Sequence, residues 1–229
     1  EAGASLARVP TEAGFTALLA WQVGEAPVEG RRAVARLQGL AGFFGSVEEP
    51  GLHADALRSA AEAGLESDRA ELRSAAYALL GADPSAVSAD VLLGRIPLEE
   101  DPAALLGLAL AISERPEGVV EGALLTWLDG PDPLLGAVAA SGLEEREGEH
   151  ITVRLVEAYG RFPAPDQWER RQAIVQALMP REGLPPGLVG EFRVDSEVHV
   201  RLAAFLGLLQ RVGRGEAGMP PQARPVPEL

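Results

Sequence analysis

A chain of 229 residues, 47% of them apolar, is long enough to bury a sizeable core and too apolar for wholesale disorder. All 20 basic residues are Arg, set against 34 acidic ones for a net charge of −14, a balance that opposes nucleic acid and anionic membranes. Lys, Asn and Cys are absent, which removes Schiff-base and P-loop lysines, thiol nucleophiles, disulfides, cysteine zinc sites and glycosylation sequons; a GC-rich coding sequence explains the missing Lys and Asn most simply.

The chain opens on "EAGASLARVP", as either a processed N-terminus or a fragment boundary would. The cytoplasm is slightly favoured, and the cell envelope or periplasm follows if Glu1 is a processed end. Turn signals then recur: "EAPVEG", "VEEPG", "GADPS", "IPLEEDP", "ERPEG", "DGPDP", "FPAPD" and "MPREGLPPG". The segments between them run for about 10–18 residues, helix length rather than strand length.

In chain order, Leu72, Ala76 and Leu79 carry a helical period within "DRAELRSAAYALLG" at 68–81. The most apolar run, "PAALLGLALAI" at 102–112, is half a bilayer span and reads as a buried helix, so no membrane insertion is expected. Val120, Leu124 and Trp127 repeat the period. So do Ile151, Leu155, Ala158 and Phe162, and then Val198, Leu202, Phe205 and Leu209 in "DSEVHVRLAAFLGLLQ" at 195–210. Sustained alternation of β-branched residues is missing, so the expected class is all-α. After Gly213 the sequence "GRGEAGMPPQARPVPEL" loses the apolar period and reads as a Gly/Pro-rich flexible tail over 213–229.

The segments at 68–81 and 195–210 share one grammar, and it recurs. Aligning the second helix of each hairpin places Arg32, Arg73, Gly107, Gly136, Arg171 and Arg201 at one equivalent position, 41, 34, 29, 35 and 30 residues apart. Helical pairs at such intervals are the signature of a stacked array, in which each layer is the next layer's core. Ala75 and Ala76, Ala109 and Ala111, Ala139 and Ala140, and Ala203 and Ala204 would let the second helices approach closely.

This pattern resembles the HEAT-repeat family, including its shorter bacterial HEAT-like members, over roughly residues 10–210. The resemblance implies an α-solenoid of stacked antiparallel helical hairpins, about six irregular repeats filling 1–212. It also implies a polar ladder of a turn aspartate and an arginine early in the second helix. Asp68 with Arg73, Asp166 with Arg171 and Asp195 with Arg201 match that device, whereas Asp101 and Asp132 face Gly107 and Gly136 where the arginine would stand. Asp68, Asp132, Asp166 and Asp195 equally suit helix N-caps.

Motifs for chemistry carry little weight. "GRGEAG" at 213–218 spells G-x-G-x-x-G but follows a helix and precedes prolines, the reverse of a dinucleotide site. His53, His150 and His199 lie far apart; Glu147 with His150 is the best-spaced pair, and two weak ligands do not hold a metal. No serine sits in a nucleophile elbow. Trp127 reads as core, while Trp168, near a helix start, is a candidate for a partner surface.

The leading expectation is therefore a non-catalytic scaffold without cofactor or metal, whose acidic surface docks a protein or peptide with a basic face. Glu71, Glu169, Glu197 and Trp168 are the candidate contacts. The resemblance also allows an accessory or catalytic subunit of a lyase-type enzyme, since HEAT-like families include bilin-lyase-type proteins. DNA glycosylases of similar build need a basic groove, which −14 opposes. A cell-envelope structural protein is the remaining alternative.

Overall fold

The structure is a computed structural model that describes residues 54–82, 85–185 and 187–213. Arg32 with its layer, Trp21, His53 and the tail beyond Gly213 lie outside the described residues. Among those described, all regular structure is helical, and no helix is long and apolar enough to cross a membrane. The helices are α1 (Ala54–Leu65), α2 (Ala70–Ala82), α3 (Ala89–Leu93), α4 (Pro102–Ser113), α5 (Gly118–Asp129), α6 (Pro133–Leu143), α7 (Glu149–Arg161), α8 (Trp168–Leu178), α9 (Leu188–Arg193) and α10 (Val198–Gly213). The chain divides inside α5 into two compact units, one ending at Ala123 and the other beginning at Leu124.

Helix starts follow local chemistry. Asp101 and Asp132 each precede a proline at the first helical position, and their carboxylates accept from the amides of Ala103 and Ala104 and of Leu134 and Leu135. A proline there loses no helix bond, and the aspartate satisfies two otherwise free donors. Asp195 accepts likewise from the Glu197 amide just ahead of α10.

Packing in each unit centres on one helix, α2 in the first and α8 in the second. In the first unit α2 lies between α1 and α4; in the second, α8 lies between α6 and α10, with α7 against α8 and α9 against α10. All eight alanines named for close approach are buried. A Cβ added at Gly81 would sit 2.9 Å from Ala111, so α2 and α4 touch backbone to side chain.

Glycine at 107 and 136, in place of the ladder arginine, now has its reason. A side chain at Gly107 would strike Ser74 of α2, and one at Gly136 would strike the Arg170 guanidinium from α8. The position is crowded by the neighbouring layer, so an arginine cannot stand there.

Among the described residues three arginines are buried outright: Arg115, Arg170 and Arg171. Arg115 donates to the carbonyls of Leu80, at the end of α2, at 2.8 Å and of Val87 at 2.7 Å, and to Glu117 at 3.2 Å. Arg170 donates to Gly130 at 2.9 Å and to Asp132, the carbonyls between α5 and α6, and lies 3.9 Å over the Phe162 ring. Arg181, half-buried, does the same after α6 with the carbonyls of Leu143 and Arg146. Each bridges to chain 28 to 40 residues away. Helix ends leave carbonyls unpaired, and the guanidinium fork supplies donors to them inside the protein.

The helical spacing that identifies α10 marks its outer face. Val198, Leu202, Phe205 and Leu209 are each about half exposed, and Val200, Ala203, Ala204 and Gly207 pack inward. In α5, Val120 and Leu124 are buried, with Leu128 rather than Trp127 continuing the stripe.

Overpacking the close contact with Ala76→Leu should cost about 1–3 kcal/mol in denaturant unfolding. Arg170→Ala leaves two part-buried carbonyls without their donor and empties the space under Gly136; a loss of about 3 kcal/mol is expected. Unchanged midpoints for both variants would contradict the packing described.

Candidate functional site

Two clusters share one construction. In the first unit Arg73, on the first turn of α2, donates to Glu99 through Nε at 2.9 Å and Nη2 at 2.8 Å. Its Nη1 donates to the Ser67 carbonyl at 2.8 Å, and Tyr77, one turn on, donates to Glu99 at 3.3 Å. In the second unit Arg171 of α8 holds Asp195 through Nε at 3.1 Å and Nη2 at 3.2 Å. Its Nη1 takes the carbonyls of Phe162 and Ala164, and Tyr159 of α7 donates to Asp195 at 2.8 Å. The chain has two tyrosines, and each completes one of these clusters. Each carboxylate also accepts a backbone amide two residues on, Asp101 for Glu99 and Glu197 for Asp195.

The ladder is thus wired differently from the sequence expectation. Asp68 and Asp166 are exposed, and the carboxylate that holds each arginine comes from the turn before the following second helix, Glu99 and Asp195. Arg201 donates to the backbone carbonyls of Asp195 and Ser196 at 2.7 and 2.8 Å, not to the Asp195 carboxylate. The physical reason is reach. An arginine on the first turn can bond the carbonyls of its own turn and still extend its fork to the next layer, where a bidentate carboxylate satisfies two donors at once.

Electrostatics follow from the geometry. The Arg73 bond, against the opposing effect of burial, holds the Glu99 carboxyl below its usual range. Burial alone would push Asp195 up, but the Glu197 amide, Arg171 and Tyr159 together hold it below the usual range as well. Burial, and then the bond to Asp195, push the Tyr159 hydroxyl up; Tyr77 rises for the same first reason, with Glu99 adding to it.

The remaining candidates are surface groups. Glu71 and Glu169 are exposed and Glu197 half-buried, all at the starts of second helices. Trp168 is half-buried and stacks on exposed His199, ring centres 4.6 Å apart, so the starts of α8 and α10 share one aromatic contact with Glu169 and Glu197 beside it. Nothing in the sequence joined Trp168 to His199, because their contact crosses layers.

Two cavities accompany these groups. One of about 260 Å³ is lined by Arg73, Tyr77, Arg95, Leu98 and Glu99, that is, by the first cluster. Its donors and acceptors are largely engaged with one another, so it presents Arg95 and the edge of the ion pair rather than a nucleophile with a base. The other, about 460 Å³, is a dish lined by Leu125, Val153, Glu149, His150 and Arg154, with Arg154 paired to Asp129. Among the described residues no three His, Asp or Glu side chains converge as metal ligands. No family model matches the chain, and no curated protein or solved structure is significantly similar to it.

The clusters give stability a pH window. Glu99 and Asp195 have folded pKa values below their unfolded ones, so their contribution is full above the ordinary carboxylate range and is lost as pH falls through the folded values. The tyrosines are raised, so theirs is full below about pH 10 and is lost above it. Thermal melting should therefore fall at both extremes, and Asp195→Asn should flatten the acid limb. An acid limb unaltered by Asp195→Asn together with Glu99→Gln would refute the assignment.

Proposed function

We propose that the chain is a HEAT-like α-solenoid that serves as a non-catalytic interaction module, docking a protein or peptide partner with a basic face. The supporting observation is how charge is partitioned. Among the described residues Arg115, Arg170 and Arg171 are buried, and the side chains of Glu99 and Asp195 are buried with the arginines that hold them, 5% and 7% exposed. Those two carboxylates are held by Arg73 and Arg171, Arg115 and Arg170 are spent on carbonyls at helix ends, and the glutamates at the helix starts stay at the surface of a chain with a net charge of −14. Such a surface accelerates encounter with a basic partner and rejects nucleic acid.

The solenoid reading is supported by the order of packing, α2 on α4 and α6 on α8 on α10, each contact formed by the second helices of successive hairpins. Within each unit such helices would line one surface of the array. Glu71, Glu169 and Glu197 sit at their first turns, and the Trp168–His199 stack offers a face for an arginine or lysine of the partner.

The test is the affinity of an arginine-rich peptide and of a scrambled acidic control at rising salt. Binding of the basic peptide should weaken with ionic strength, and reversal of Glu71, Glu169 and Glu197 to Arg should abolish it while the melting curve changes little, since exposed charge changes rarely cost more than about 0.5 kcal/mol each. Binding indifferent to salt and to the triple reversal would remove electrostatic docking from consideration. Trp168→Ala would then be the informative variant.

A further inference from the structure

Helix α10 is apolar on two opposite faces. One, Val200, Ala203, Ala204 and Gly207, packs inward, with the Gly207 backbone against Met179. The other carries Val198, Leu202, Phe205, Leu206, Leu209 and Val212, exposed by 56, 50, 56, 48, 52 and 49%. Residues 198, 202, 205, 209 and 212 advance by four, three, four and three, the spacing of a coiled-coil seam rather than of scattered surface leucines. A helix apolar all round is normally covered all round.

The seam is also a palindrome of residue types. Read in either direction it runs Val, Leu, then the Phe205–Leu206 pair, then Leu, Val. Laid antiparallel on a copy of itself about a two-fold axis near Phe205, Val198 meets Val212, Leu202 meets Leu209, and the central pair meets its own copy. Self-complementarity of this kind is what an isologous two-fold contact requires. Antiparallel pairing also opposes the helix dipoles, whereas parallel pairing brings like ends together. Six half-exposed side chains offer on the order of 500 Å² per copy, or about 1,000 Å² over two, which reaches the lower range of specific interfaces.

We propose that the outer face of α10 is a homodimer interface, in which two copies of this chain pair their seams antiparallel about a two-fold axis at Phe205. The contact adjoins the acidic start of α10 but runs the length of the helix, and its test alters none of the glutamates assigned to a basic partner, so either reading can fail alone.

The experiment uses the full chain in sedimentation equilibrium at tens of micromolar, with disulfide trapping beside it. The chain has no cysteine, so each introduced thiol is the sole reporter. The wild type should sediment at twice its monomer mass, and Leu202→Glu with Leu209→Glu should return it to the monomer with helicity retained. Under mild oxidation Phe205→Cys should cross-link to itself. Val198→Cys should not, yet an equimolar mixture of Val198→Cys and Val212→Cys should give a mixed disulfide dimer. A wild type that stays monomeric, as it would if another part of this chain or a different protein covered α10, overturns the proposal. Self-linkage of Val198→Cys, the mark of a parallel pair, overturns it also. If the glutamate variant unfolds, the cysteine pattern alone decides.

Discussion

Short helices end often, and every end leaves carbonyls without partners, so a protein made of short stacked helices must place donors at ends that lie inside it. Here the donor is arginine. Arg115, Arg170, Arg171 and Arg181 each reach from one helix or loop to the carbonyls that close another. A lysine ammonium would present a single compact charge, whereas the guanidinium fork spans two carbonyls, or a carbonyl and a carboxylate, at once. The burial is costly, and Arg170 shows how the cost is offset. Burial pushes its pKa down, Asp132 opposes that, two carbonyls accept from it, and the Phe162 ring lies beneath the cation.

That one device dictates composition around it. A buried guanidinium beside a neighbouring backbone permits no side chain there, which is why Gly136 cannot be anything larger. The same economy of distance sets alanine on the inner faces and puts Gly207 on Met179. Helices held this close have little room for large residues inward, so the large apolar residues of α10 appear on the outside instead. The inner face of α10 is marked by its small residues, whereas α2, α4 and α8 bury Leu79, Leu108, Ile112 and Ile174 beside their alanines.

Much of this was legible in the sequence, and what was not has a common cause. Helix content came from spacing alone, and the expected cap at Asp132 is present; Asp101 caps in the same way without having been expected to, while Asp166 lies inside a short 3-10 turn and Gln167 stands at the cap position. The alanine pairs named in advance are buried. Missed were the partners of Arg73 and Arg171. Pairing each with its own turn aspartate was the shortest path along the chain, but Glu99 and Asp195 lie 26 and 24 residues further on. The roles of Tyr77, Tyr159, Arg115 and Arg170 were hidden for the same reason, because period and motif describe a helix against itself and not against the next layer. One signal was present for the second cluster member: Tyr77 follows Arg73 by one helical turn, so the two share a face. The face of α10 was the converse error of emphasis, since a regular apolar stripe signals a helix whichever side it turns to solvent.

A net charge of −14 has opposite consequences for the two contacts proposed for this chain. A basic partner is attracted over the whole field of the molecule, and added salt weakens the attraction. Two copies of the chain, each at −14, repel at long range and meet only through the apolar seam of α10, so added salt relieves the repulsion and favours the pair. Ionic strength therefore separates the two surfaces without any mutation: the equilibrium that strengthens with salt belongs to the palindromic seam, and the one that weakens belongs to the glutamates at the helix starts.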